Sequence, residues 1–296
     1  MAKRSRKKRK KKNKTRRKSK KRRLVRKSRK KISKKIKRAK SSRTSLEVSD
    51  DDGNSVFKVS ENWSKQAYVN KAKYQKKYNL SIKDNDKFWK KEGKRITWIK
   101  PYTKIKDVKY SKEEVKIKWF YDGTLNASAN CTDRHLKKNG KKTAIIWVGD
   151  DPTDHKRISY KELHKNVCKA ANGLKNIGVK KGDRVTIYLT MIPELVYTML
   201  ACARIGAIHS IIFGGFSPDS IATRINDCES EFLITADEGV RGGKIIPLKQ
   251  IADEALLQCP EIKKCVVVKR TGNQVSWNHE RDVFYDEITS NVSSKC

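Results

Sequence analysis

An α/β fold with a parallel-rich sheet, flanking helices and a disordered basic arm in front is what this sequence predicts, and three observations predict it. From Lys142 onward, short apolar runs alternate with segments of helical periodicity through loops of a few residues, the pattern of parallel strands covered on both faces. The stretch MLACARIGAIHSIIFGGFSPD, Met199 to Asp219, packs an apolar helix, a buried strand and a glycine turn together without a spare residue. Ahead of both, residues 1 to 45 hold 28 Lys and Arg and no acid. Too few apolar residues lie there to offset chain entropy, so the arm is expected to be disordered when unbound.

The charge of the 296-residue chain is correspondingly uneven: of the net +40, the body after the arm carries 44 basic against 32 acidic residues. A phosphate-neutralising function of the arm and a merely solvated extension both fit that composition. Residues 46–59 switch to acidic and turn-forming types and read as a linker. Residues 60–125 then form a lead-in region, in which Trp63, Tyr68, Tyr74, Tyr78, Phe88, Trp89 and Trp98 stand among charges. Helical spacings such as Tyr74 to Tyr78 suggest short helices laid down by their aromatic faces; nucleic-acid binding is the competing use, opposed by Glu61, Asp84, Asp86 and Glu92.

Val115 to Phe120 alternates like a strand and ends at Asp122-Gly123, and Leu125 to Leu136 reads as one helix stopping near Asn139-Gly140. Ala144 to Val148 is a strand whose return lies at Arg157-Ile158. Ser159-Tyr-Lys-Glu162 is a capping box, and behind it Leu163, Val167, Ala170, Ala171 and Leu174 share one helical face. Further strands are expected at Arg184–Leu189, Ile208–Phe213, Glu231–Ala236 and Cys265–Val268. Helices are expected from Pro193, from Ser217 to Cys228 with the Ser217 side chain as cap, and from Leu248 to Gln258.

Seven scattered cysteines, an odd number with no C-x-x-C pair, argue against a disulfide framework or zinc site and for a reducing compartment. His135 has no candidate co-ligand near it, so its expected role is structural. The sequence has no run of about 18 apolar residues and no apolar core of a signal peptide behind its basic start. A cytoplasmic protein without a membrane span is therefore expected.

Two stretches have the makings of a site. Phe213-Gly214-Gly215-Phe216 closes a strand at the edge where α/β sheets bind ligands. Asp237 to Lys244, DEGVRGGK, follows the next strand and flanks two glycines with Arg241 and Lys244. Backbone and cations there can approach a phosphate together, although an ordinary turn has the same composition. Neither stretch is a G-x-G-x-x-G or a P-loop, so a dinucleotide fold and a P-loop enzyme are not supported.

The blocks DGTLNASANCTDRHL, KTAIIWVGDD, ISYKELHKNVCKAANGL, MLACARIGAIHSIIFGGFSPDSIATRI and ITADEGVRGGKIIPLK closely resemble the acetyl-coenzyme A synthetases, of the adenylate-forming enzymes. The resemblance runs from about Trp63 to about Tyr285. It implies joining of acetate to ATP, with magnesium, to give acetyl-adenylate and pyrophosphate, followed by transfer of the acetyl group to coenzyme A. It also implies that Arg241, Gly242, Gly243 and Lys244 contact coenzyme A, the basic pair addressing the 3′-phosphate, and that Phe213 and Gly214 lie by its adenine. Nothing in the sequence resembles the family's Ser/Thr/Gly-rich phosphate loop ending in Pro-Lys-Gly, its aromatic adenine and acetate pocket, or its late catalytic lysine.

Residues 126–296 are accordingly expected to be a partial AMP-dependent ligase domain that stops before the phosphate loop, inactive alone and without catalytic or metal-ligating residues of its own. The basic arm is foreign to the family. Two other readings are a nucleic-acid-associated protein that works through residues 1–43 with an inert α/β body, and a stand-alone coenzyme A binding module.

Overall fold

The computed structural model describes residues 59–296; the basic arm and all but the last residue of the linker lie outside the described residues. The chain divides into two units, Met1–Lys76 and Lys77–Cys296. In the first, α1 (Glu61–Gln66) is capped by the Ser60 hydroxyl, and α2 (Lys71–Lys83) begins there. Neither helix buries a residue, and Trp63, Tyr68, Tyr74 and Tyr78 are all exposed. The many lysines between them leave these helices without an apolar stripe to bury.

In the second unit, α3 (Asn85–Glu92) leads into an antiparallel hairpin, β1 (Lys106–Tyr110) and β2 (Val115–Trp119). The remaining lead-in aromatics do pack here. Trp98, Tyr102 and Phe120 pack with ring centroids 4.6–5.6 Å apart, and Trp89 meets Trp119 edge-on at 5.4 Å. The single helix expected over Leu125–Leu136 is two, α4 (Ala127–Cys131) and α5 (Asp133–Asn139). Between them Thr132, at φ −121° and ψ −68°, leaves the helical backbone while its hydroxyl donates to the Ser128 carbonyl at 2.7 Å. A hydroxyl that serves a backbone acceptor in this way competes with helix continuation.

Strands β3 (Thr143–Val148) and β4 (His155–Ser159) form a second hairpin. The capping box then opens α6 (Tyr160–Asn176) as its sequence requires: Ser159 Oγ accepts from Glu162 N at 3.2 Å and Glu162 Oε2 accepts from Ser159 N at 2.7 Å. From here the chain alternates: β5 (Arg184–Leu189), α7 (Pro193–Ile205), β6 (Ile208–Phe213), α8 (Pro218–Asp227), β7 (Phe232–Ala236), a short hairpin of β8 (Gly239–Arg241) and β9 (Lys244–Ile246), α9 (Leu248–Leu256) and β10 (Lys264–Val268). After a long loop, β11 (Asp282–Phe284) and α10 (Tyr285–Ser290) complete it. The sheet order is β11-β10-β7-β5-β6, parallel throughout.

Helix α6 packs on α7 and α10, and α8 on α9. The connection from β5 runs outward to β6, whereas the next returns past β5 to β7, so right-handed crossovers place helices on both faces. Strands β5, β7 and β10 are buried almost throughout and supply the core with Val185, Ile187, Leu233, Ile234, Val266 and Val267. Two expectations need correction. Strand β6, expected buried, is the sheet's edge, with Ile208, Ile211 and Phe213 exposed, because it pairs only with β5 among the described residues. Ser217 stands at the start of α8 with extended backbone and Pro218 follows it, but its side chain makes no capping hydrogen bond.

Buried charge fastens two corners. Arg204, at the end of α7, holds Asp133 with two hydrogen bonds of 2.7 and 2.9 Å. Burial would raise the Asp133 carboxyl, but the Arg204 guanidinium holds it well below the usual carboxylate range. On α9 the fully buried Lys249 reaches Asp253 at 2.7 Å, Asp282 at 2.9 Å and the Ser276 carbonyl at 3.0 Å. All seven cysteines are free, and His135 packs its ring 5.0 Å from Tyr160. No helix among the described residues is long and apolar enough to cross a membrane.

Candidate functional site

Because β5, β6, β7 and β10 are parallel, their carboxyl ends share one edge of the sheet, and the loops leaving it surround a cavity of about 320 Å³. The topological switch, where the connections reverse direction about β5, lies at this edge and is the usual ligand crevice of an open α/β sheet. Leu189 to Ile192 leave β5, Phe213 and Gly214 end β6, Val240 and Arg241 come from β8, and Arg270 follows β10. Trp147 to Asp150, from β3 and its turn, form the wall beyond. Leu189, Ile192 and Val240 keep much of the lining apolar.

Glycine is required twice here by close approach. A Cβ on Gly239 would lie 2.6 Å from Thr190 Cγ2, and one on Gly214 would lie 3.1 Å from the same methyl. The stretch after β7, read from sequence as a glycine-flanked turn, is a β-hairpin closed by Gly242 and Gly243 at φ +59° and +71°. Two consecutive positive φ values make the tight two-residue turn that suits strand twist, and they explain the paired glycines.

The hairpin register pairs Arg241 directly with Lys244, so two cations face each other across the turn. Cβ atoms of such a pair are about 4.5–5.5 Å apart, and like charges there destabilise the ladder. Arg241 turns its guanidinium over the Phe213 ring, 5.2 Å from the centroid, while Lys244 is exposed. The Gly243 N–H donates to Asp150 Oδ2 at 2.6 Å and ties the turn to the β3–β4 loop.

The structure thus brings Phe213, Gly214 and Arg241 into the cavity wall and puts Gly242, Gly243 and Lys244 on the adjoining turn. Sequence reasoning missed Trp147, Asp150 and Arg270. Trp147 anchors its ring by donating Nε1–H to the Met191 carbonyl at 2.7 Å, and Arg270 stacks on that ring at 5.1 Å. The signal for Arg270 was present: Lys269-Arg270-Thr271-Gly272 repeats, after β10, the strand-then-cation-then-glycine order that singled out Arg241. Among the described residues no three His, Cys, Asp or Glu side chains gather where a metal ion could sit.

Fold and pocket together define an α/β domain with a ligand cavity at the carboxyl edge of its sheet. The chain belongs to the AMP-binding enzyme family, whose match covers residues 132–291, and residues 74–131 match the acetyl-coenzyme A synthetase N-terminus. It is 58% identical to the acetyl-coenzyme A synthetase of Parvibaculum lavamentivorans over 241 residues, 81% of this chain and 37% of that one. The Methylocella silvestris protein of the same name is 55% identical over 81% of this chain and 38% of its own. This chain therefore spans well under half the length of these curated relatives. Among solved structures, acetoacetyl-CoA synthetase from Streptomyces lividans superposes with a TM-score of 0.64 at 23% identity, over 73% of this chain and 32% of that one, which supports the fold.

Proposed function

We propose that the chain is part of an acetate–coenzyme A ligase and supplies the coenzyme A-facing wall of its site. The reaction so assigned joins acetate to ATP, releasing pyrophosphate, and moves the acetyl group from the adenylate to the coenzyme A thiol, releasing AMP. Family membership and the names of the relatives support the class of reaction. The observation that carries the placement is the pair Arg241 and Lys244, opposed across a turn that adjoins a cavity lined by Arg241 and Phe213.

Left to themselves the two cations repel, and a phosphate between them converts that cost into charge-assisted hydrogen bonds. The 3′-phosphate of coenzyme A is the group assigned to them, with the adenine against Phe213 and the backbone at Gly214. The ATP, magnesium and acetate parts of the chemistry have no residues assigned to them here, so the chain by itself is expected to lack acetate-dependent exchange of pyrophosphate into ATP. Its cellular compartment is taken to be the cytoplasm, from the scattered free cysteines.

Titration calorimetry of the whole chain with coenzyme A at about 0.15 M salt tests the reading, because the contribution of the basic arm is common to all variants. Arg241→Ala and Lys244→Ala should each weaken coenzyme A binding about tenfold, as expected for the loss of about 1.4 kcal/mol apiece. Neither substitution should change the affinity for dephospho-coenzyme A. Coenzyme A binding that ignores both substitutions would show that the site is placed wrongly.

A further inference from the structure

Resting on that reading, we infer that Arg270 and Trp147 form a second anion-binding wall of the same cavity, which takes the diphosphate of the ligand while Arg241 and Lys244 take its 3′-phosphate. Arg204 spends its fork on Asp133 at 2.7 and 2.9 Å, and Arg281 reaches Asp282 at 2.7 Å and Asp253 at 2.6 Å. These are structural arginines, saturated by carboxylates. Arg270 keeps one long carboxylate contact, Nη2 to Asp154 Oδ2 at 3.4 Å, and lies in the lining of a cavity.

Its position is nevertheless fixed from two sides. The buried Asp237 carboxylate accepts the backbone N–H groups of Arg270 and Gly272, each at 2.8 Å, and of Thr271 at 3.2 Å, which pins the loop that leaves β10. The guanidinium lies over Trp147, 5.1 Å from the centroid, and Trp147 is itself held by Met191. A planar cation stacked on an aromatic face, with most of its fork unspent, is pre-organised to bind phosphate oxygens in pairs.

The arrangement repeats one found elsewhere in the same lining, where Arg241 stacks on Phe213. Arg241 follows β7 and Arg270 follows β10, neighbouring strands of the sheet, so the two arginine–aromatic pairs reach one cavity from adjacent strand ends. An apolar floor lined by two ring-stacked cations fits an amphipathic ligand that carries more than one anionic group. At about 320 Å³ the cavity is at the small end for ligand sites and takes a nucleotide-sized portion of such a molecule. Asp150, also in the lining, is occupied with the Gly243 N–H, and the weak Asp154 contact is the one a ligand phosphate has to displace.

The two walls are separable by ligand series on the whole chain. Arg270→Gln should weaken coenzyme A and dephospho-coenzyme A alike, about tenfold, and leave adenosine 3′-phosphate, which has no diphosphate, unchanged. The Arg241→Ala/Lys244→Ala variant should show the converse selectivity. Arg270→Lys, which keeps the charge and loses the fork, should fall between wild type and Arg270→Gln and serves as the test if the glutamine variant does not fold. Equal weakening of all three ligands, or of none, by substitution at Arg270 overturns the inference and leaves the assignment of Arg241 and Lys244 standing. Failure of the unsubstituted chain to bind coenzyme A overturns both.

Discussion

Replacing Lys249 by methionine probes how the long segment after β10 is held to the fold. The ammonium is fully buried and serves three acceptors at once: Asp253 at 2.7 Å, Asp282 at 2.9 Å and the Ser276 carbonyl at 3.0 Å. Methionine matches the length of the stem, so little cavity cost arises. What is lost is the partner of two carboxylates, one of them with a fully buried side chain, and removing one member of a buried ion pair costs about 3–5 kcal/mol. For a body of this size each kcal/mol lowers Tm by about 2–4 °C, so thermal unfolding followed by circular dichroism at pH 7 should shift down by roughly 6–20 °C.

The pH dependence gives the sharper check. Burial would raise the Asp282 carboxyl, but the hydrogen bonds from Arg281, from the Asn278 N–H and from Lys249 outweigh it and leave it below its ordinary value. A carboxyl lowered by folding contributes stability above its unfolded pKa, about 3.9, and loses that contribution as pH falls through the folded value. Without Lys249 the Asp282 carboxyl rises. The gap between wild type and Lys249→Met should therefore be full at pH 7 and should narrow below about pH 4. A shift equivalent to under about 1 kcal/mol, or a gap of equal size at pH 7 and below pH 4, would refute the account of Lys249 as a buried counter-ion.

Two further outcomes are expected. Gly173→Ala drives a Cβ into the Ile288 carbonyl oxygen. The overpacking should cost about 1–3 kcal/mol against roughly 1 kcal/mol of gained helix propensity, and the net loss would appear as a lower denaturation midpoint. Thiol titration of the folded chain should find Cys131 and Cys296 fast, since both are exposed, and Cys202 and Cys265 silent until unfolding, since burial pushes both thiols up to about 12.

The alternating half of the fold was legible because its signals are local. Leu163, Val167 and Leu174 share a face only as a helix, and the Ser159–Glu162 box marks where that helix starts, so α6 could be placed nearly to the residue. Strand β5 runs from Arg184 to Leu189 as expected. Strands β1, β8, β9 and β11 went unseen for the opposite reason: three of them have three residues, too few to display an alternation, and their pairing is decided by partners. The exposure of β6 could not be read either. An apolar run says that a strand suits a covered position, and sheet order, which is non-local, says whether it has one.

The site shows the same division at finer grain. Arg241 and Lys244 could be found from sequence because four adjacent residues carry the whole idea, two cations and the glycines that let them turn. Their direct opposition across the hairpin, which creates the repulsion a phosphate would relieve, exists only once the register is fixed. Arg270 lies 29 positions after Arg241 and becomes its counterpart only because β7 and β10, the strands that precede them, are neighbours in the sheet and end at one edge. A site at the ends of parallel strands is assembled from the first few residues after each strand, whatever their separation in the chain. Searching those positions together, rather than each turn by its own pattern, makes Lys269-Arg270-Thr271-Gly272 as conspicuous as Arg241-Gly242-Gly243-Lys244. Each cation leans on a ring supplied by another strand, Phe213 from β6 and Trp147 from β3, while Trp277 of the loop after β10 stacks on Phe284 instead.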